Sequence, residues 1–146
     1  MKHLKRLRKK TIIVAAALAA VLLSSGSDVK GDMADLIKAR TDILNGYYCG
    51  HINYYDALSH IREIETGRLL EEDTAAMRGF FQTDIEEVTD YKITDIELTS
   101  ADEDLVCAVV DISWEVSGTG GNESIEEIYS VIMEKDEKKY KLVQFF

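Results

Sequence analysis

The chain predicts an α+β domain: three N-terminal helices packed on a curled four-stranded antiparallel sheet, cone-like in outline, preceded by an export segment. Three observations carry this. Six of the 17 Lys and Arg residues fall within the first ten positions, ahead of an apolar run. Apolar residues then recur at helical spacing between Asp32 and Val88. From Tyr91 onward the period changes from about 3.6 to about 2. Helices first and strands after place the helices on one face of the sheet.

The export segment comes first. Lys2, Lys5, Arg6, Arg8, Lys9 and Lys10 form a basic n-region, and Thr11–Leu23 is its apolar continuation. As a helix that run rises roughly 20 Å, short of the ~30 Å hydrocarbon core, which suits a signal-peptide h-region. A cut after Ser27 would put Ser25 and Ser27 at the small positions a signal peptidase reads. Ser24–Ser27 carry no charge, so a bilayer thinned around an uncleaved anchor is equally open. Residues 1–27 are therefore a signal peptide or an N-terminal membrane anchor, 28–31 a spacer, and 32–146 a single domain. The domain is extracytoplasmic under either reading, secreted or tethered. No cysteine follows the apolar run, which excludes a lipoprotein anchor.

Without those six cations, 11 Lys and Arg face 27 Asp and Glu, so the formal charge moves from −10 to −16. Phosphates and anionic headgroups are repelled by such a surface. Nucleic acid is excluded as a partner, and membrane contact is confined to residues 11–23 if they are retained. The chain has no proline, so Gly, Asn, Asp and Ser make its turns.

Asp32 is the expected N-cap of the first helix, with Met33, Leu36, Ile37, Ile43 and Leu44 on one face. Asn45-Gly46 should end it. After the aromatic connection Tyr47–Ile52, Asn53 caps a second helix carrying Leu58, Ile61 and Ile64, closed by Gly67. Leu69–Val88 reads as a third helix, interrupted near Gly79, with the capping pattern Thr83-x-x-Glu86 suggesting a restart. Tyr91–Ser100 is strand-like; Ile93 is out of phase with Ile96 and Leu98, which predicts a bulge near Asp95. In Leu105–Ser117 the alternation is unbroken, with Val106, Ala108, Val110, Ile112, Trp114 and Val116 on one face. Glu123–Glu134 and Lys139–Phe146 complete an antiparallel meander joined by hairpin-like connections. A strand of about thirteen residues exceeds the usual length, so the sheet should curl and leave a pocket at the mouth of the cone.

Export segment, three helices and a curled four-stranded meander resemble the nuclear transport factor two-like (cystatin-like) fold. The stretch Tyr47-Tyr48-Cys49-Gly50-His51-Ile52-Asn53-Tyr54, with Ile61-Arg62-Glu63-Ile64-Glu65 after it, is also similar to small uncharacterised exported proteins of Gram-positive bacteria. The resemblance covers residues 32–146 and rests on element order. It implies one of three roles: an isomerase or dehydratase with a polar dyad inside the cone, a small-molecule binder, or a membrane-anchored assembly subunit of a type IV secretion machine.

The residues offer few reacting groups. His51 and His60 are nine apart, and Cys49-x-His51 is a single close pair without a counterpart, so no metal site is expected; nor is a cofactor. His60 reads as a solvated helix residue, and as a general base it would need a partner facing a pocket. Asp102-Glu103-Asp104 is a solvated hairpin tip. Asp111 alternates against the apolar stripe and should face solvent; were both sheet faces buried, it would become a pocket carboxylate. If the domain is an enzyme, Asp111 and His60 are the groups to test. Tyr47, Tyr48, Tyr54, Tyr55 and Trp114 suit a pocket or a partner contact, and core packing accounts for them too. Cys49 and Cys107 are either one disulfide, contributing about 4 kcal/mol in the chain-entropy model, or two independent buried thiols. Gly118-Thr119-Gly120-Gly121 joins strand to strand and is no phosphate loop.

The reading these features favour is a non-catalytic extracytoplasmic domain that binds an envelope protein, as an accessory of an assembly. The alternatives are a pocket enzyme or small-ligand binder of the same fold, and a secreted cystatin-type inhibitor. The −16 charge has a consequence of its own. Self-repulsion at neutral pH is relieved by screening, so the melting temperature should rise between low and moderate salt; a fall would contradict it.

Overall fold

Residues 26–81 and 85–146 are described by a computed structural model of the chain. The elements run α1 (Gly26–Tyr48), α2 (Tyr54–Ile64), α3 (Gly67–Arg78), β1 (Glu87–Ala101), β2 (Leu105–Gly118), β3 (Gly121–Asp136) and β4 (Lys139–Phe145). The four strands form one open antiparallel sheet in the order β1-β2-β3-β4. The export segment up to residue 25 and the proposed cap at Thr83 lie outside the described residues. Among the described residues, no helix is long and apolar enough to cross a membrane.

Strand β2 organises the sheet. Its alternating residues Val106, Ala108, Val110, Ile112, Trp114 and Val116 are all buried, as period-2 patterning requires of a strand with one covered face. Met33 and Ile37 of α1 and Leu69 of α3 pack against that face, together with Val131, Met133 and Leu142. A second apolar cluster lies among the helices alone: Leu44, Tyr48, Ala57, Ile61 and Met77. The protein thus has a sheet core and a helical lobe, with α1 contributing to both.

Strand β1 departs from regular pairing three times, between Val88 and Asp90, between Ile93 and Asp95, and between Leu98 and Ser100. The middle shift is the bulge expected near Asp95. At the first two shifts a threonine hydroxyl takes over a carbonyl of β2: Thr89 Oγ1 donates to Glu115 O at 3.1 Å and Thr94 Oγ1 to Asp111 O at 3.2 Å. Bulges increase local twist, so a strand fifteen residues long bends around the helices.

Three expectations are corrected. Helix α1 begins at Gly26, so residues 28–31, expected as a spacer, are helical. It also runs through Asn45-Gly46 to Tyr48. Asn45 does not cap α1, because its side chain is committed to β1: Nδ2 donates to Val88 O at 3.0 Å and Oδ1 accepts from Val88 N at 2.9 Å. The left-handed position falls instead at Gly50, φ +77°. Third, α3 stops at Arg78, and Val88 is the inward residue of a strand that already begins at Glu87. The apolar spacing of Ile85 and Val88 fits either period over so short a run, and pairing with Val116 decides it. Asn53 does cap α2, its Oδ1 accepting from Asp56 N at 3.0 Å.

Asn45 therefore substitutes for a neighbouring strand at Val88. Asn45→Ala should cost about 1–3 kcal/mol, the penalty for stranding a buried donor and acceptor. Urea unfolding would read it as a lower midpoint at unchanged slope.

Candidate functional site

Where sheet core and helical lobe meet, three helical segments deliver charge. Arg40 comes from α1, Glu65 from the residue that ends α2, and Asp73 from α3. Arg40 Nε lies 3.0 Å from Glu65 Oε1 and 2.9 Å from Asp73 Oδ2, and Arg40 Nη2 lies 2.7 Å from the same Asp73 oxygen. All three are largely enclosed, and the Glu65 side chain is fully so. The guanidinium also sits 4.7 Å from the centre of the Phe145 ring on β4, a contact that strengthens when water is excluded.

Local chain geometry fixes Glu65 there. Its backbone N–H completes α2 by donating to Ile61 O, after which the chain turns extended and Thr66 N donates to Leu142 O at 2.9 Å. Glu65 and Leu142 form a parallel bridge, so the link between α2 and α3 covers the edge of β4. Gly67, at φ +58°, then turns the chain into α3, a conformation costly for other residues. One oxygen of this carboxyl, Oε2, has no hydrogen-bond partner. Burial first, and then the charge of Asp73, push the Glu65 pKa up to about 9, with Arg40 pulling the other way. One cation cannot neutralise two enclosed carboxylates, and keeping a proton on Glu65 balances the cluster.

From Phe145 the polar path continues into the sheet. Phe145 stacks on Tyr129 with ring centres 4.5 Å apart. The Tyr129 hydroxyl accepts from Trp114 Nε1 at 3.0 Å and donates to the Glu127 carboxylate. Burial and that bond to Glu127 raise the Tyr129 pKa, so the hydroxyl stays a donor. The result is a closed set of partners: every strong polar group but Glu65 Oε2 is engaged by a neighbour.

The residues singled out from sequence are dispersed. Tyr47, Tyr48 and Tyr54 join Phe80 in an edge-to-face chain within the helical lobe, and Tyr47 Oη donates to Met77 O at 2.7 Å. Tyr55 is 80% exposed. Trp114 belongs to the sheet core, apart from these rings. His60 is exposed on α2, and Asp111 stands on the outer sheet face opposite Asp95 and Ile128, so the two are not brought together. Cys49 and Cys107 are both free thiols. Cys107 alternates with the buried stripe of β2 and points away from the helices, whereas Cys49 follows α1 and donates to Asn45 Oδ1; the disulfide weighed above is not formed. Among the described residues, no group of three ligating side chains could hold a metal ion.

Sequence reading missed Arg40, Glu65, Asp73, Glu127 and Tyr129. A signal for four of them existed in the phase of the pattern. Ala57, Ile61 and Glu65 are spaced by four, as are Leu69, Asp73 and Met77, so both acids occupy apolar-stripe positions. Glu127 and Tyr129 hold the inward phase of β3 between Ile125 and Val131.

No family model and no curated protein matches the chain. Among solved structures, the intermembrane space region of the chloroplast protein ARC6 is similar at 17% identity with a TM-score of 0.37, over 61% of this chain and 75% of that one. A likeness of that size carries no argument about role.

The cluster makes a pH-dependent contribution whose sign is fixed. Glu65 is an acid raised from 4.5 to about 9, so the stabilisation held by its proton is whole below about pH 4.5 and is lost as pH climbs toward 9. Glu65→Gln, which cannot ionise, should therefore gain on the wild type between about pH 5 and pH 9, by a few kcal/mol. Urea unfolding of both proteins at the two ends measures it; an equal difference at both would overturn the assignment.

Proposed function

We propose that this protein is a non-catalytic extracytoplasmic domain of the nuclear transport factor two-like type that works by binding an envelope protein, as an accessory of an assembly in a Gram-positive cell. Residues 1–27 serve as its export segment, and residues 28–146 as its single working domain, since 28–31 belong to α1. If residues 11–23 are retained they tether it to the membrane; if cleaved, the domain is released.

The observation that carries this reading is the filled interior. Met33, Val106, Val110, Val131, Met133 and Leu142 occupy the space between helices and sheet with no exposure or nearly none. A cone-shaped enzyme of this type needs that space for substrate. Its polar groups must also be free to meet one, yet Arg40 already donates to Glu65 and Asp73, and the Tyr129 hydroxyl is already hydrogen-bonded to Trp114 and Glu127. An open depression beside the β3–β4 turn mixes Glu63, Asp136 and Glu137 with Lys138, Lys139 and Lys141, and it presents no converging chemistry.

The test is native mass spectrometry of the full chain from its own membranes. An envelope protein retained in fixed stoichiometry is the expected result. A small molecule retained with no protein would favour the pocket reading instead.

A further inference from the structure

We infer that the partner docks on the outer face of the sheet, and that it offers this face an amphipathic helix whose apolar stripe is flanked by Lys or Arg. The inference rests on the protein-binding reading above and names its surface and its chemistry.

The described helices pack on one side of the sheet, and pairing defines what the other side carries. Val109, Ile128, Ile132 and Phe146 share it: Val109 faces Ser130 across the β2–β3 ladder, and Phe146, the residue after β4, exchanges backbone hydrogen bonds with Ser130. Ile128 and Ile132 lie one pleat to either side of Ser130. Ile128 is 54% exposed and Phe146 47%. Neither Val109, Ile128 nor Ile132 joins an apolar cluster of the fold. An apolar patch in the middle of a sheet, rimmed by charge, marks an interaction surface.

The rim toward β1 and β2 is mainly acidic. Asp95 is directly opposite Asp111, and Asp90 directly opposite Glu115. Like charges so placed destabilise a sheet. Among the described residues no cation pairs with any of the four; Glu115 only accepts from Ser124 Oγ. Glu97 and Glu126 add to the same face, against Lys92 near its β1 edge. The fold thus carries two repelling pairs that a cationic partner would relieve on docking.

Charge then selects the occupant. A second copy brings the same acids, and nucleic acid or anionic lipid brings more negative charge. No metal-holding cluster is present among the described residues. A basic polypeptide remains. Laid on a sheet face it gains no ladder bonds, so it must satisfy its own backbone, which a helix does. The two acid pairs are four residues apart along β2, about 13 Å at strand rise. That distance equals eight or nine residues of helix at ~1.5 Å each. Cations seven or eight residues apart on one helix face span about 10–12 Å, and their long side chains would reach both pairs while the apolar stripe covers Ile128.

The experiment is photocrosslinking in the cells that make the protein, using the full chain. Benzoylphenylalanine replaces Ile128 on the outer face or, in a second strain, Tyr55 on the exposed side of α2. The expected result is an adduct from position 128 whose crosslinked peptide is rich in Lys or Arg. Asp95→Asn with Asp111→Asn should lower its yield about tenfold. The same variant should keep or raise the melting temperature, because a repulsion is removed. Glu63→Gln with Glu71→Gln removes two exposed acids elsewhere and should leave the yield unchanged. An adduct from position 55 alone overturns the inference while leaving a protein-binding role standing. So does an acidic crosslinked peptide, or a second copy of this chain, at position 128. Absence of any adduct at both positions overturns the role itself.

Discussion

Arg40 is the joint on which the two halves of this protein depend. The sheet core and the helical lobe are separate apolar clusters, and apolar contact alone specifies no fixed angle between them. One guanidinium reaches Glu65 at the end of α2, Asp73 within α3 and the Phe145 ring on β4. Its planar fork can serve several acceptors in set directions, which a lysine ammonium cannot. Such a buried cluster adds little net stability, because desolvation offsets attraction. Breaking it from one side is another matter, costing roughly 3–5 kcal/mol by leaving charge without a partner. Its contribution is to orientation: α2 and α3 are held at the β4 edge by groups that tolerate few geometries.

Much of the fold was legible because one segment left no ambiguity. Six alternating apolar residues between Val106 and Val116 admit only a strand with one covered face, and the segments after it pair in sequence order. The bulge near Asp95 was legible too, from one isoleucine out of phase. Boundaries were less so. Asn45-Gly46 has the composition of a helix stop, yet a contact with Val88, 43 residues away, diverts the asparagine, and no local pattern encodes that contact. Val88 itself carries no period until Val116 is opposite it.

The central cluster was hidden for a different reason. Acids in a chain with 27 of them read as surface by default, since carboxylates are rarely enclosed without a partner. Glu65, Asp73 and Glu127 betray themselves only by standing where an apolar residue is due. Arg40 has no such mark, being at the margin of its helix stripe. Phase violations by ionisable residues deserve the weight that apolar matches usually receive, for they locate the contacts between elements and not merely the elements.

The bulges of β1 bear on how copies of this molecule treat one another. A regular fifteen-residue border strand would present an unbroken row of amides, an open template for another chain. Three register shifts interrupt that row, and the Asn45 amide occupies part of it at Val88. At the opposite border, Glu65 and Thr66 take up Leu142. Both borders of the sheet are thus interrupted against lengthening strand by strand. At high local concentration these interruptions disfavour edge-to-edge pairing between copies.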